Sequence, residues 1–171
     1  MYWKKRKNDL YYQMIVKICS NLIKENENYS IIDYGCCDTE VIFDLKCKNK
    51  FLLDLNNNYS EKQKQIILEK NIKFIRDSIM SIKWQNKFDI CLCLQTIEHL
   101  DDPRKAFENI HKSSKKYTII SLPYKWAEFK SHKHNHIDEE IIKEWTQIEP
   151  NESFIVRDNG FERIINVYIK R

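Results

Sequence analysis

The sequence predicts an α/β fold, a mostly parallel sheet wound on both faces and closed by an antiparallel hairpin strand. Three observations carry this reading. Short apolar runs alternate with amphipathic helical stretches along most of the chain. The first two apolar runs end in aspartates, Asp33 and Asp54, and a small-residue segment built on Gly35 follows the first. Near the end, Asp158-Asn159-Gly160 lies between two alternating runs, and Asn-Gly is the strongest short hairpin signal.

The elements follow in order. Tyr11, Met14, Ile15, Ile18, Cys19, Leu22 and Ile23 recur at helical spacing and predict a helix over 9–25. The first strand spans 30–34. A short helix is expected over 39–46, with Val41, Ile42 and Leu45 on one face, before a second strand at 50–54. A polar helix over 60–70 turns Ile66, Ile67 and Leu68 inward, and strands follow at 72–76 and 88–94. Asp102 caps the next helix, with Pro103 in the first turn, where a missing N–H costs nothing. A strand at 117–122 stops at Pro123. A loop over 124–137 is rich in Trp, Lys and His, and Asp138 caps a helix through Trp145. The hairpin pairs 154–157 with 161–169.

A chain of 171 residues fits one domain, 1–171, with an N-terminal helical segment over 1–28 and a substrate-side loop and helix over 123–150. Hydrophobic content of 42% places it among folded chains. The net charge of +4 is mild, and the basic runs lack aromatic interleaving, so no nucleic-acid partner is expected. No apolar run approaches the ~18 residues that span a bilayer, so no membrane partner is expected. The 6 cysteines show no CxxC spacing and the N-terminus has no apolar leader, which suggests a reducing, cytoplasmic setting.

Residues 30–55 follow the strand–loop–helix–strand–acid pattern that holds a nucleoside-type cofactor. Gly35, one of 2 glycines in the chain, lets the backbone approach the ligand, and Asp54 has the geometry to accept two vicinal ribose hydroxyls. Glu98-His99 follows the fourth strand, on the side where ligands bind in open α/β sheets, and a histidine there can take a proton at neutral pH. His132, His134 and His136 alternate and, if extended, share a face suited to a divalent metal. Without a second ligand cluster that signal is weak, and no metal is expected.

This order of elements, with DYGCCDT at 33–39, Asp54 in FLLDLN, RDSI at 76–79 and CLCLQTIEHLDDP at 91–103, resembles the class I S-adenosylmethionine-dependent methyltransferases. The resemblance implies a Rossmann-like, doubly wound seven-stranded sheet and S-adenosylmethionine as cofactor. It implies cofactor contacts from Asp33, Gly35, Cys36, Asp54 and Leu55, adenine contacts from Asp77 and Ser78, and a pocket wall from Leu94 and Gln95. His99 and His132 are the candidate catalytic bases. Tyr124, Trp126, His134 and His136, on the loop after the fifth strand, are the candidate substrate contacts.

Methyl transfer to an oxygen or nitrogen of a small molecule is the expected reaction. A sugar, a nucleotide-linked sugar or a phosphate-bearing metabolite would suit the aromatic and basic loop. The family loop carries two or three glycines, whereas Cys37 and Thr39 stand at the second and third positions here. That departure keeps open a non-catalytic partner subunit built on the same fold. A nicotinamide-dependent oxidoreductase lacks its glycine fingerprint here. The oligomeric state stays open.

Overall fold

The computed structural model describes residues 2–23 and 28–170. Seven strands form one sheet: β1 (Ser30–Tyr34), β2 (Asn49–Asp54), β3 (Lys73–Arg76), β4 (Phe88–Leu94), β5 (Ser114–Pro123), β6 (Glu152–Asp158) and β7 (Phe161–Ile169). Their spatial order is β3-β2-β1-β4-β5-β7-β6. The first five are parallel, and β7 pairs antiparallel with both β5 and β6. Strand order reverses between β1 and β4, which creates a crevice at their carboxyl ends.

Alternation along the strands splits the core into two layers, as a doubly wound sheet requires. Ile31, Leu52, Ile90, Leu92 and Ile119 face one layer, with Trp3, residues of α2 (Leu10–Ile23) and Ile67 of α3 (Glu61–Glu69). Ile32, Tyr34, Leu53, Cys91, Cys93 and Ile120 face the other. There they meet Ala106, Phe107 and Ile110 of α4 (Pro103–Ser113) and Ile142 and Trp145 of α5 (Glu139–Thr146).

Three helix caps form, and those at Asp102 and Asp138 were expected. Ser60 and Gln63 make a reciprocal capping box at α3. Asp102 accepts from the Lys105 N–H at 2.8 Å, and Asp138 from the Ile141 N–H at 3.0 Å. In the hairpin turn, Asn159 (φ 51°) and Gly160 (φ 80°) both take the left-handed conformation that an Asn-Gly turn demands.

Two expectations are corrected. The helix over 39–46 is a string of turns. Its bonds are i to i+3 (Thr39 N–H to Cys36 O, Phe43 N–H to Glu40 O), and the buried Lys50 ammonium takes the Phe43 carbonyl at 2.7 Å. Val41, Ile42 and Leu45 are buried all the same. Leu68 is 73% exposed, so of Ile66, Ile67 and Leu68 the helix α3 turns Ile67 alone fully inward. The N-terminal segment contains α1 (Tyr2–Arg6), whose Trp3 N–H donates to the buried Asp38 carboxylate at 3.0 Å while Lys4, Lys5 and Lys7 stay exposed. The end of the helix expected over 9–25 lies outside the described residues; α2 is described to Ile23.

Candidate active site

The carboxyl ends of β1 and β2 build a tight cradle. Gly35 leaves β1 at φ +69°, and its N–H donates to the Leu53 carbonyl at 2.8 Å. Cys37 also lies at positive φ (51°), a conformation that costs a residue with a Cβ about 1–2 kcal/mol. Its N–H donates to Asp54 Oδ2 at 2.9 Å, and the Asn56 N–H donates to Oδ1 at 3.1 Å. Each Asp54 oxygen keeps a lone pair for a ligand. The Thr39 hydroxyl donates to the buried Asp33 carboxylate at 3.2 Å, and Tyr59 O–H closes on the Thr39 carbonyl at 2.8 Å. Hydrogen bonds thus hold the loop where the resemblance would place further glycines.

The Asp77 carboxylate, after β3, is held below its ordinary range by the Ser81 hydroxyl and the Ser78 N–H. Gln95 follows β4, left-handed at φ 51°; its N–H bonds the Ser121 carbonyl while its buried Nε2 has no partner. Non-glycine residues in this region of φ/ψ concentrate at functional sites. A cavity of about 400 Å³ runs across these strand ends, a size typical of ligand sites. Asp77, Ser78 and Ile79 line it beyond β3, Asp54 and Leu55 beyond β2, Gly35, Cys37 and Thr39 beyond β1, and Leu94, Gln95 and Thr96 beyond β4.

Past β4 the wall changes character. Glu98 and His99 lie in a single 3-10 turn, Ile97–His99. Glu98 is fully buried, both its carboxyl oxygens lack hydrogen-bond partners, and burial pushes its pKa up to about 8. His99 Nδ1–H donates to the Ser131 carbonyl at 2.7 Å, which leaves the lone pair on Nε2 when the ring is neutral. His99 Nε2 stands 4.0 Å from Glu98 Oε1. His132 packs edge-on against His99 (centroids 4.8 Å apart) and stacks on Trp126. Burial and the neighbouring His99 lower its pKa.

The loop carrying His132 is pinned at several points. The Lys133 and His134 N–H groups both donate to the Glu98 carbonyl, at 3.1 and 3.2 Å. At the loop base, Lys125 N–H bonds Ile137 O and His136 N–H bonds Trp126 O. The segment therefore folds back on itself, and the three alternating histidines diverge.

Most of the sequence-derived site residues meet in this one cavity: Gly35, Asp54, Leu55, Asp77, Ser78, Leu94, Gln95, His99, Trp126 and His132 all line it. Others do not. Asp33 lies beneath the loop, with its pKa pushed up to about 7 by burial, and Cys36 points into the core. His134 Nε2 meets the Leu100 carbonyl and its ring packs against the edge of Trp145, so it fastens the loop away from the cavity. His136 is exposed at the loop base. Tyr124 is buried with its hydroxyl on Glu139, beside a separate shallow groove. Cys37, Thr96, Glu98 and Phe129 line the cavity and were absent from the sequence-derived set. Glu98 was within reach as the partner of His99; Phe129 and Thr96 carry no sequence signal of this role.

The methyltransferase-domain family matches residues 32–121, more than half of the chain. No curated protein sequence matches at a significant level. Solved structures share the fold. The Burkholderia thailandensis 1,6-didemethyltoxoflavin-N1-methyltransferase, solved with 1,6-didemethyltoxoflavin and S-adenosylhomocysteine, superposes with a TM-score of 0.78 at 12% identity, over 96% of this chain and 80% of that one. The Synechocystis magnesium protoporphyrin IX methyltransferase with bound S-adenosylmethionine gives 0.72 at 12% identity, over 94% and 80%. The Bradyrhizobium japonicum N-methyltransferase NodS gives 0.67 at 12% identity, over 94% of each chain. Among the described residues, no helix is long and apolar enough to cross a membrane. With the family match over its strand core, the chain belongs to the methyltransferase-domain family and is a class I S-adenosylmethionine-dependent methyltransferase.

Proposed function

We propose that this enzyme methylates a hydroxyl group of a small acceptor held between the β4 end of the cavity and the loop over 124–137. The observation that carries the reading is the convergence of Glu98, His99 and His132 on the wall beyond β4, across the cavity from Asp77. A hydroxyl must lose its proton to become a competent nucleophile near neutral pH, whereas an aromatic or heterocyclic nitrogen already offers a lone pair. A wall of one carboxyl and two imidazoles suits the first case.

The cradle fits the cofactor. Asp54 retains an acceptor lone pair on each oxygen for a vicinal diol, Asp77 offers a carboxylate for an exocyclic amino group, and Leu55, Ile79 and Leu94 supply apolar cover for a base. Gly35, Cys37 and Gln95 line the stretch between, and Asp33 acts from below by holding Thr39 and the loop. When bound, S-adenosylmethionine supplies an electrophilic methyl group. The protein's part is to align the acceptor, exclude water and manage the hydroxyl proton at the Glu98–His99–His132 wall.

Trp126 and Phe129 present aromatic surface at this end, and Lys125 and Lys130 lie exposed on the same loop. A sugar, nucleotide-linked sugar or other phosphate-bearing metabolite matches that chemistry. The six free cysteines, five of them buried, fit a cytoplasmic setting. The test is incubation with S-adenosylmethionine and a panel of sugars, sugar phosphates and nucleotide sugars, read by S-adenosylhomocysteine release and product mass. Turnover confined to amine acceptors would refute the hydroxyl assignment.

A further inference from the structure

We propose that Glu98, His99 and His132 bind a first-row divalent cation of the Mn²⁺, Co²⁺ or Zn²⁺ type, and that this cation takes the acceptor's oxygen. One Glu98 oxygen and one ring nitrogen of each histidine all lie within 4.8 Å of one another. Two donors with bonds of roughly 2.1 Å to one such cation stand about 3.4 Å apart in a tetrahedral shell. The 4.0 Å between Glu98 Oε1 and His99 Nε2 is too long for a hydrogen bond and exceeds that spacing by about half an ångström. Closing the whole set takes side-chain movements of about 1 Å.

Three of the candidate ligand atoms have no hydrogen-bond partner. Both Glu98 oxygens are buried without a partner, and so is His132 Nδ1. A fully buried carboxyl with neither oxygen satisfied is a costly arrangement unless something enters the site. Nothing in the fold requires it, since Glu98 makes its structural contacts through its backbone carbonyl, which receives the Lys133 and His134 N–H groups.

The surroundings are those of a ligating set. His99 Nδ1–H is fixed on the Ser131 carbonyl, the outer hydrogen bond that orients an imidazole and leaves Nε2 free to ligate. His132 is held between two anchored residues, Ser131 and Lys133, and its ring is packed by Trp126 and Phe129. Two imidazoles and one carboxylate favour borderline transition metals over Mg²⁺ or Ca²⁺, which prefer all-oxygen shells. Three protein ligands leave positions open toward the cavity.

The role in transfer rests on the O-methylation reading; cation binding itself does not. Bound to the cation, the acceptor hydroxyl would ionise more readily and release its proton to solvent. Its oxygen would then form the new O–C bond as the S–C bond of the sulfonium breaks, leaving S-adenosylhomocysteine.

The test uses the full chain, stripped with a chelator and titrated with Co²⁺ while the visible d–d absorption is followed. The wild type should develop a saturable band at one equivalent. Glu98→Gln and His132→Ala should lose it, and His136→Ala should keep it. Two shifted imidazole N–H proton signals in the wild-type Co²⁺ protein would report both histidines without any variant, should Glu98→Gln fail to fold. No band in the wild type, or an undiminished band in a folded His132→Ala, overturns the site. Calorimetric titration with S-adenosylhomocysteine on the same samples separates the two readings. Cofactor binding without a cation band removes the cation alone, whereas a cation band without cofactor binding removes the methyl-transfer role and leaves the cation.

Discussion

Gly35 and Thr96 stand so close that a Cβ on the glycine would meet Thr96 Cγ2 at 2.3 Å and Oγ1 at 2.6 Å. The contact joins the ends of β1 and β4 at the point where strand order reverses. Gly35→Ala would combine this clash with a left-handed φ of +69°. A loss of about 2–4 kcal/mol in denaturant unfolding is expected. Thr96→Gly in the same chain should recover part of it by removing the clash and leaving the backbone strain.

Asp54 ties the loop after β1 to the end of β2 through the Cys37 N–H, and each of its oxygens keeps a lone pair, which the proposed function gives to the ribose. Asp54→Ala should weaken S-adenosylhomocysteine binding by roughly a hundredfold, the worth of about 3 kcal/mol in charge-assisted hydrogen bonds. Calorimetry measures the affinity, and circular dichroism should show a folded chain. Unchanged affinity would remove Asp54 from the cofactor site.

Asp33 sets a pH dependence of stability. Burial raises its pKa from 3.8 to about 7. Between those values the folded chain keeps a proton that the unfolded chain has released, so stability falls as pH rises through this window. Asp33→Asn retains an acceptor for the Thr39 hydroxyl and has nothing to ionise. Thermal melts should show a shallower decline than wild type from pH 4 to 7, and above pH 7 the variant should be the more stable, by on the order of 4 kcal/mol. Glu98, raised to about 8 by burial, maintains a residual slope in both proteins. Identical slopes in the two proteins would exclude Asp33 as the source.

Trp126 stacks on His132, lies 4.6 Å from Phe161 between ring centroids, and lines the cavity where the acceptor is proposed to bind. Trp126→Ala should leave S-adenosylhomocysteine affinity within about twofold and raise the acceptor KM by about tenfold, the loss of one stacking contact of about 1.4 kcal/mol. A fall in cofactor affinity instead would place Trp126 over the cofactor.

The sequence determined a great deal here because its signals are local. Strand ends marked by Asp33 and Asp54, caps at Asp102 and Asp138, and the Asn159-Gly160 turn each act within a few residues, and the structure forms them all. The failures have the opposite cause. The stretch over 39–46 reads as helical by periodicity, but a lysine from the next strand captures its backbone. The alternation of His132, His134 and His136 suggests one shared face, but the loop folds back on Glu98 and Leu100 and sends the rings in three directions. The cluster that forms joins His132 to Glu98 and His99, more than thirty residues away. Periodicity and spacing report what neighbouring residues do together. Which distant residues share a cavity is decided by strand order and by the hydrogen bonds that close each loop, and those exist only once the sheet has assembled.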